Sequence, residues 1–127
     1  MSKNKLKINP LKTIRNDAGL WETIGMATEK PLILILTSEE YCQPCQVLHP
    51  FLQPLAVKYV DRLSFAKCNP DKIAEKSMEE MDVDGVPTML FVFNEEILDQ
   101  YDGFDGDIDD VHAFLEHNLK EWKKELN

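Results

Sequence analysis

The segment Glu40-Tyr41-Cys42-Gln43-Pro44-Cys45-Gln46 sets two cysteines three positions apart, with a proline between them. Three chemistries fit a C-x-x-C pair: a redox couple, half of a metal site, or two ordinary core residues. At the start of a helix, the unpaired backbone N–H groups and the helix dipole favour an anion. A thiol at Cys42 is then expected to ionise more easily than a free one. Cys45 lies one turn on, close enough to close a disulfide. Cys42 could attack a substrate disulfide, and Cys45 could resolve the mixed disulfide. Pro44 suits a first helical turn, where its missing N–H costs little. A structural zinc needs four ligands. Cys42, Cys45 and His49 offer three and Cys68 a distant fourth, but there is no second C-x-x-C.

Working outward, Leu32-Ile33-Leu34-Ile35-Leu36 is a continuous apolar run, the mark of a strand covered on both faces. A helix is expected from Gln43 to about Val60, disturbed by Pro50 and Pro54, each of which removes a backbone donor. Arg62 to Cys68 reads as a second buried strand. Asp71 to Met81 reads as a helix with Ile73, Ala74, Met78 and Met81 inward, followed by a turn at Asp84-Gly85. Thr88 to Phe93 and the weaker Ile97 to Tyr101 form a hairpin through Asn94 and Glu95. A last helix from about Asp107, capped by that residue, carries Ile108, Val111, Leu115, Leu119 and Trp122 on one face. Before the first strand, Asp17 is placed as the cap of a short helix running to about Glu29, with Leu20, Trp21 and Ile24 on one face. The first half alternates as parallel βαβ units do, and the second ends in an antiparallel hairpin and a covering helix. Residues 1–12 are expected to form a flexible basic extension, and residues 13–127 a single domain.

The chain has 127 residues, 23 Asp and Glu against 14 Lys and Arg, and a formal net charge of −9. That balance argues against nucleic acid or an anionic membrane as the main partner, since both attract a cationic face. Three cysteines are too few, and too odd in number, for a secreted disulfide scaffold. The basic N-terminus is not followed by an apolar signal core, and a reducing cytoplasmic setting is the default expectation. Cys68, at the end of a strand, reads as a small core residue. The acidic run from Asp105 to Asp110 reads as a helix start and not as a calcium loop, because it lacks the required glycine. His112 and His117 are five apart and do not share a helical face.

Taken together, these residues resemble the thioredoxin family. The resemblance runs from about Trp21 to Leu119. It rests on the apolar strand 32–36, Tyr41-Cys42-Gln43-Pro44-Cys45, Pro50 in the helix, Phe65 to Asp71, Gly85-Val86-Pro87-Thr88, the strand Met89 to Phe93, and Gly103 before the last helix. It implies an α/β thioredoxin fold: a central mixed sheet of four to five strands flanked by helices on both faces. It also implies a protein-disulfide oxidoreductase working through a Cys42–Cys45 dithiol–disulfide, with no bound cofactor or metal. Recycling would fall to a flavin-dependent, NADPH-fed reductase of the thioredoxin reductase type, and the chain would be a monomer. Cys42 resembles the nucleophile and Cys45 the resolving thiol. Tyr41, Gln43 and Pro44 stand at the substrate rim. Pro87 resembles the cis-proline facing the disulfide, Val86 the residue whose backbone receives an extended substrate, Gly103 the glycine of the groove, and Lys67 the lysine behind the site.

Departures from the pattern bear on mechanism. Family members usually have tryptophan and glycine where Tyr41 and Gln43 stand. Leu36, six residues before Cys42, occupies the position of a buried aspartate that helps deprotonate the resolving thiol, and Ser38 replaces a packed tryptophan. With no acid at position 36, Lys67 is expected to seek another partner, with Glu40 a candidate. Resolution by Cys45 is expected to be slower, or to draw its base from water or substrate. Glu39 and Glu40 oppose the helix dipole beside Cys42. The competing expectation is a redox-weak module that docks a partner through the Val86–Pro87 groove without turnover.

Overall fold

The computed structural model describes residues 9–126. The strands are β1 (Leu11–Ile14), β2 (Leu32–Leu36), β3 (Ser64–Cys68), β4 (Thr88–Phe93) and β5 (Glu96–Asp102). The helices are α1 (Asp17–Gly25), α2 (Gln43–Lys58), α3 (Glu75–Glu80) and α4 (Ile108–Leu126), and a 3-10 turn spans Pro70–Lys72. The strand order is β1-β3-β2-β4-β5. β3 pairs in parallel with β1 and β2, while β4 pairs antiparallel with β2 and β5. This is the expected mixed sheet, at five strands.

β2 is central because all five of its residues are buried. Its alternate side chains serve two layers. Ile33 and Ile35 join Leu48, Leu52, Leu55, Phe91, Val111 and Leu115 beneath α2 and α4. Leu32, Leu34 and Leu36 join Leu20, Ile24, Cys68, Leu90 and Met81 beneath α1 and α3. A strand that is wholly apolar can only sit between two covered faces, so this one run fixes a three-layer architecture.

Four expectations are corrected. β1 takes in Leu11 and Lys12, so the sheet starts inside the stretch read as a loose extension; residues 1–8 of that stretch lie outside the described residues. Parallel pairing to β3, from Leu11 opposite Phe65 to Ile14 opposite Cys68, orders it. Asn16, not Asp17, caps α1, its side chain accepting the Gly19 N–H at 2.8 Å. The helix expected over 71–81 splits into the 3-10 turn and the six-residue α3, with Ala74 exposed at its N-cap and Ser77 buried in its place. Trp21 is 38% exposed, where it was expected on the buried face. By contrast, Asp107 does cap α4, accepting the Asp109 N–H at 2.9 Å.

Asp17 has a different task. Its carboxylate accepts the Ala74 N–H at 3.0 Å and the Ser77 hydroxyl at 2.6 Å, tying the start of α1 to the start of α3. The Ser77 hydroxyl, and then the Ala74 amide, hold its pKa below the usual carboxylate value. A depressed folded-state pKa gives a stabilisation that is fully present above the unfolded pKa and is lost as pH falls through the folded one. The difference in melting temperature between the native protein and Asp17→Ala should therefore be constant above about pH 4 and shrink on acidification towards pH 2. A gap independent of pH over that range would contradict the linkage.

Candidate functional site

The loop from Thr37 to Tyr41 carries the chain from the end of β2 to the start of α2. Tyr41 takes φ +53°, a left-handed conformation that a bulky residue rarely adopts, and its side chain is fully exposed. That turn sets Cys42 at the N-cap of α2 with extended φ/ψ, and Pro44 falls in the first helical turn. The Cys45 backbone N–H donates to Cys42 Sγ at 3.2 Å. The sulfur thus satisfies one of the amides a helix start leaves open. Cys42 and Cys45 are joined in a disulfide, with Cα atoms 5.2 Å apart. Cys42 retains 8% exposure, whereas Cys45 is sealed at 0%. Behind the pair, the Ser38 N–H donates to Cys45 Sγ at 3.5 Å.

Across from this, Val86 and Pro87 are joined by a cis peptide bond. The Val86 carbonyl oxygen lies 3.9 Å from Cys42 Sγ. The Gly103 N–H donates to the Pro87 carbonyl at 2.8 Å, and Gly103 takes φ +76°, a conformation glycine adopts without strain. Residues 86, 87 and 103, far apart in sequence, are therefore brought together beside the cysteines. Gln43 and Pro44 are exposed on the rim, as Tyr41 is.

Lys67 and Glu40 are not brought together. Among the described residues the ion pairs are Arg62–Glu116 and Lys124–Glu121, and neither involves Lys67. Glu40 instead makes backbone contacts with Ser38: its N–H donates to the Ser38 Oγ at 3.1 Å, and its carbonyl accepts the Ser38 hydroxyl at 2.8 Å. This local turn holds Glu40 on the surface. Lys67 sits opposite Ile35 in the β2–β3 register and is half-buried. Leu36 is wholly buried among apolar neighbours, opposite Cys68.

His49, weighed in the sequence as a zinc ligand, is engaged elsewhere. It is half-buried, and its Nε2 lies 2.8 Å from the Thr37 hydroxyl. Burial, and then the charge of Lys67, lower its pKa, with Glu39 opposing. The contact spans β2 and α2, and no local pattern in the sequence announces it. Cys68 is 1% exposed, and burial pushes its thiol up to about 11. Among the described residues, no group of three or more His, Cys, Asp or Glu could hold a metal ion.

A family model described as thioredoxin matches residues 15–117. Thioredoxin-T of Drosophila melanogaster is 30% identical over 94 residues, which cover 74% of this chain and 59% of that protein. A thioredoxin of Acidithiobacillus ferridurans is 33% identical over 70 residues, covering 55% of this chain and 63% of that protein. The chain thus spans about three fifths of the length of these relatives. A solved thioredoxin structure from Malassezia sympodialis aligns with a TM-score of 0.75 at 17% identity, over 94% of this chain and 99% of that one, a likeness of fold.

Cys42 is the one cysteine of the three that keeps exposure, and that contrast is measurable. After reduction, a thiol reagent at neutral pH should titrate one thiol rapidly in the native protein and three in denaturant. Three equally fast thiols in the native state would place Cys45 and Cys68 outside the core.

Proposed function

The chain belongs to the thioredoxin family, and from that premise we propose that it is a thiol–disulfide oxidoreductase acting on protein disulfides, in the reducing direction. One observation carries the reading: Cys42 Sγ sits at the head of α2, 3.2 Å from the Cys45 N–H and in a disulfide with Cys45.

In the reduced protein, Cys42 is the attacking sulfur, because it is the one that keeps exposure. Its thiolate adds to one sulfur of a substrate disulfide and expels the other as a thiolate, forming a mixed disulfide. Cys45, as thiolate, then attacks Cys42 Sγ and releases the second substrate sulfur. Two electrons pass to the substrate, and the protein is left as the Cys42–Cys45 disulfide. The extended substrate segment lies along Val86, whose backbone borders the attacking sulfur, with Pro87 and Gly103 shaping the groove and Tyr41, Gln43 and Pro44 its rim. Beside Val86, a cavity of about 520 Å³ is bordered by Asp71, Glu75, Glu79 and Asp84. These carboxylates favour substrates with basic residues near the disulfide.

The second step distinguishes this chain from its relatives' usual pattern. Leu36 supplies no carboxylate to take the Cys45 proton, and among the described residues Lys67 is not paired to one. Water or the departing substrate thiolate takes that role, and resolution is slow. A flavin-dependent, NADPH-fed reductase as recycling partner, a monomeric state and a cytoplasmic setting belong to the same proposal.

Insulin reduction in dithiothreitol tests the activity. The native protein should accelerate precipitation well beyond the reagent alone, and Cys42→Ser should not; equal rates would contradict the proposal. Leu36→Asp tests the missing base. It should raise the reduction rate several-fold while lowering stability by about 2–5 kcal/mol, since it puts a carboxyl into an apolar layer. A folded variant with an unchanged rate would show that the base is not limiting.

A further inference from the structure

β1, β2 and β3 run in parallel, and their C-terminal ends come to one edge of the sheet. Crevices outside the carboxyl ends of parallel strands are where open α/β sheets bind ligands. Here the edge holds a cavity of about 340 Å³, within the range of small-molecule sites. It adjoins the cavity beside Val86 at Asn69, and no step of the thiol exchange uses it as a binding site.

Its lining is unusual for this chain. Arg15 follows β1, Lys67 lies near the end of β3, and Lys72 closes the 3-10 turn. Among the described residues, none of the three forms an ion pair or donates a side-chain hydrogen bond to the protein. In a protein with nine more acidic than basic groups, three cations without carboxylate partners converge on one concavity. Glu39 is the one carboxylate in the lining, so two positive charges are left over. Thr13, Thr37 and Asn69 add hydroxyl and amide groups, and Ile14 adds apolar wall. His49 stands beside them, held by its contact with Thr37.

We propose that this cavity binds a small phosphate monoester. Arginine and lysine are the residues that hold phosphate oxygens, arginine through its paired N–H groups. Hydroxyl and amide groups complete the coordination of a tetrahedral dianion, and the cavity leaves room for a small organic body beyond it. Binding offsets the positive charge that Glu39 leaves uncompensated in this lining.

The test is a titration of the ¹⁵N-labelled, oxidised protein with glycerol phosphate at fixed ionic strength. The Thr37 and Asn69 amides and the His49 ring are the reporters. The expected result is saturable shifts at these residues, weaker but still saturable shifts with inorganic phosphate, and no saturation with chloride. Arg15→Gln and Lys72→Gln, which sit at the surface and outside the core, should each weaken binding about tenfold. Non-saturating shifts, affinity undiminished in both variants, or succinate binding as tightly as the ester would each overturn the assignment.

Discussion

A sulfur at the head of a helix is the contact on which the rest of this structure depends. Cys42 occupies the N-cap of α2, and the Cys45 amide points at its Sγ from 3.2 Å. A thiolate there meets backbone dipoles that are already aligned and need no reorganisation as charge develops. Everything else in the molecule keeps that geometry in place. β2 delivers the chain to the spot from between two apolar layers. The left-handed turn at Tyr41 aims it. β4 brings Val86 and Pro87 to the open side of the sulfur, and the bond from Gly103 to Pro87 fixes that wall against the end of β5.

The same frame explains the asymmetry between the cysteines. Cys45 lies inside the first turn of α2 and is sealed, so it can reach only its neighbour. Cys42 keeps a narrow opening towards the groove. Attack from one sulfur and resolution by the other follow from burial. The departure at Leu36 leaves that geometry intact and alters only proton movement. This is why a leucine is tolerated there: it packs well in a layer with Ala66, Cys68 and Leu90.

Much of this was legible in the sequence, and what was not has a common cause. The five apolar residues from Leu32 to Leu36 announce a doubly covered strand, because no other placement buries them all. The cysteine spacing with Pro44 announces a helix start. Leu11 to Ile14 announces little: two buried residues flank the exposed Lys12 and Thr13, and only pairing with β3 makes them a strand. Asp17 looked like a helix cap because caps are local, yet its partners Ala74 and Ser77 lie 57 and 60 residues on. The Thr37–His49 contact and the cations around the strand ends likewise arise only once the sheet is assembled. The expected pairing of Lys67 with Glu40 failed for the opposite reason: a local turn through Ser38 claims the Glu40 backbone first.

The central claim is electrostatic, and the pH dependence of Cys42 alkylation tests it most directly. With the protein reduced and Cys45 replaced by serine, the rate of iodoacetamide modification should follow an apparent pKa at least one unit below the free-cysteine value of about 8.5. An inflection at or above that value would show that the head of α2 does not hold the sulfur as an anion, and would contradict the account.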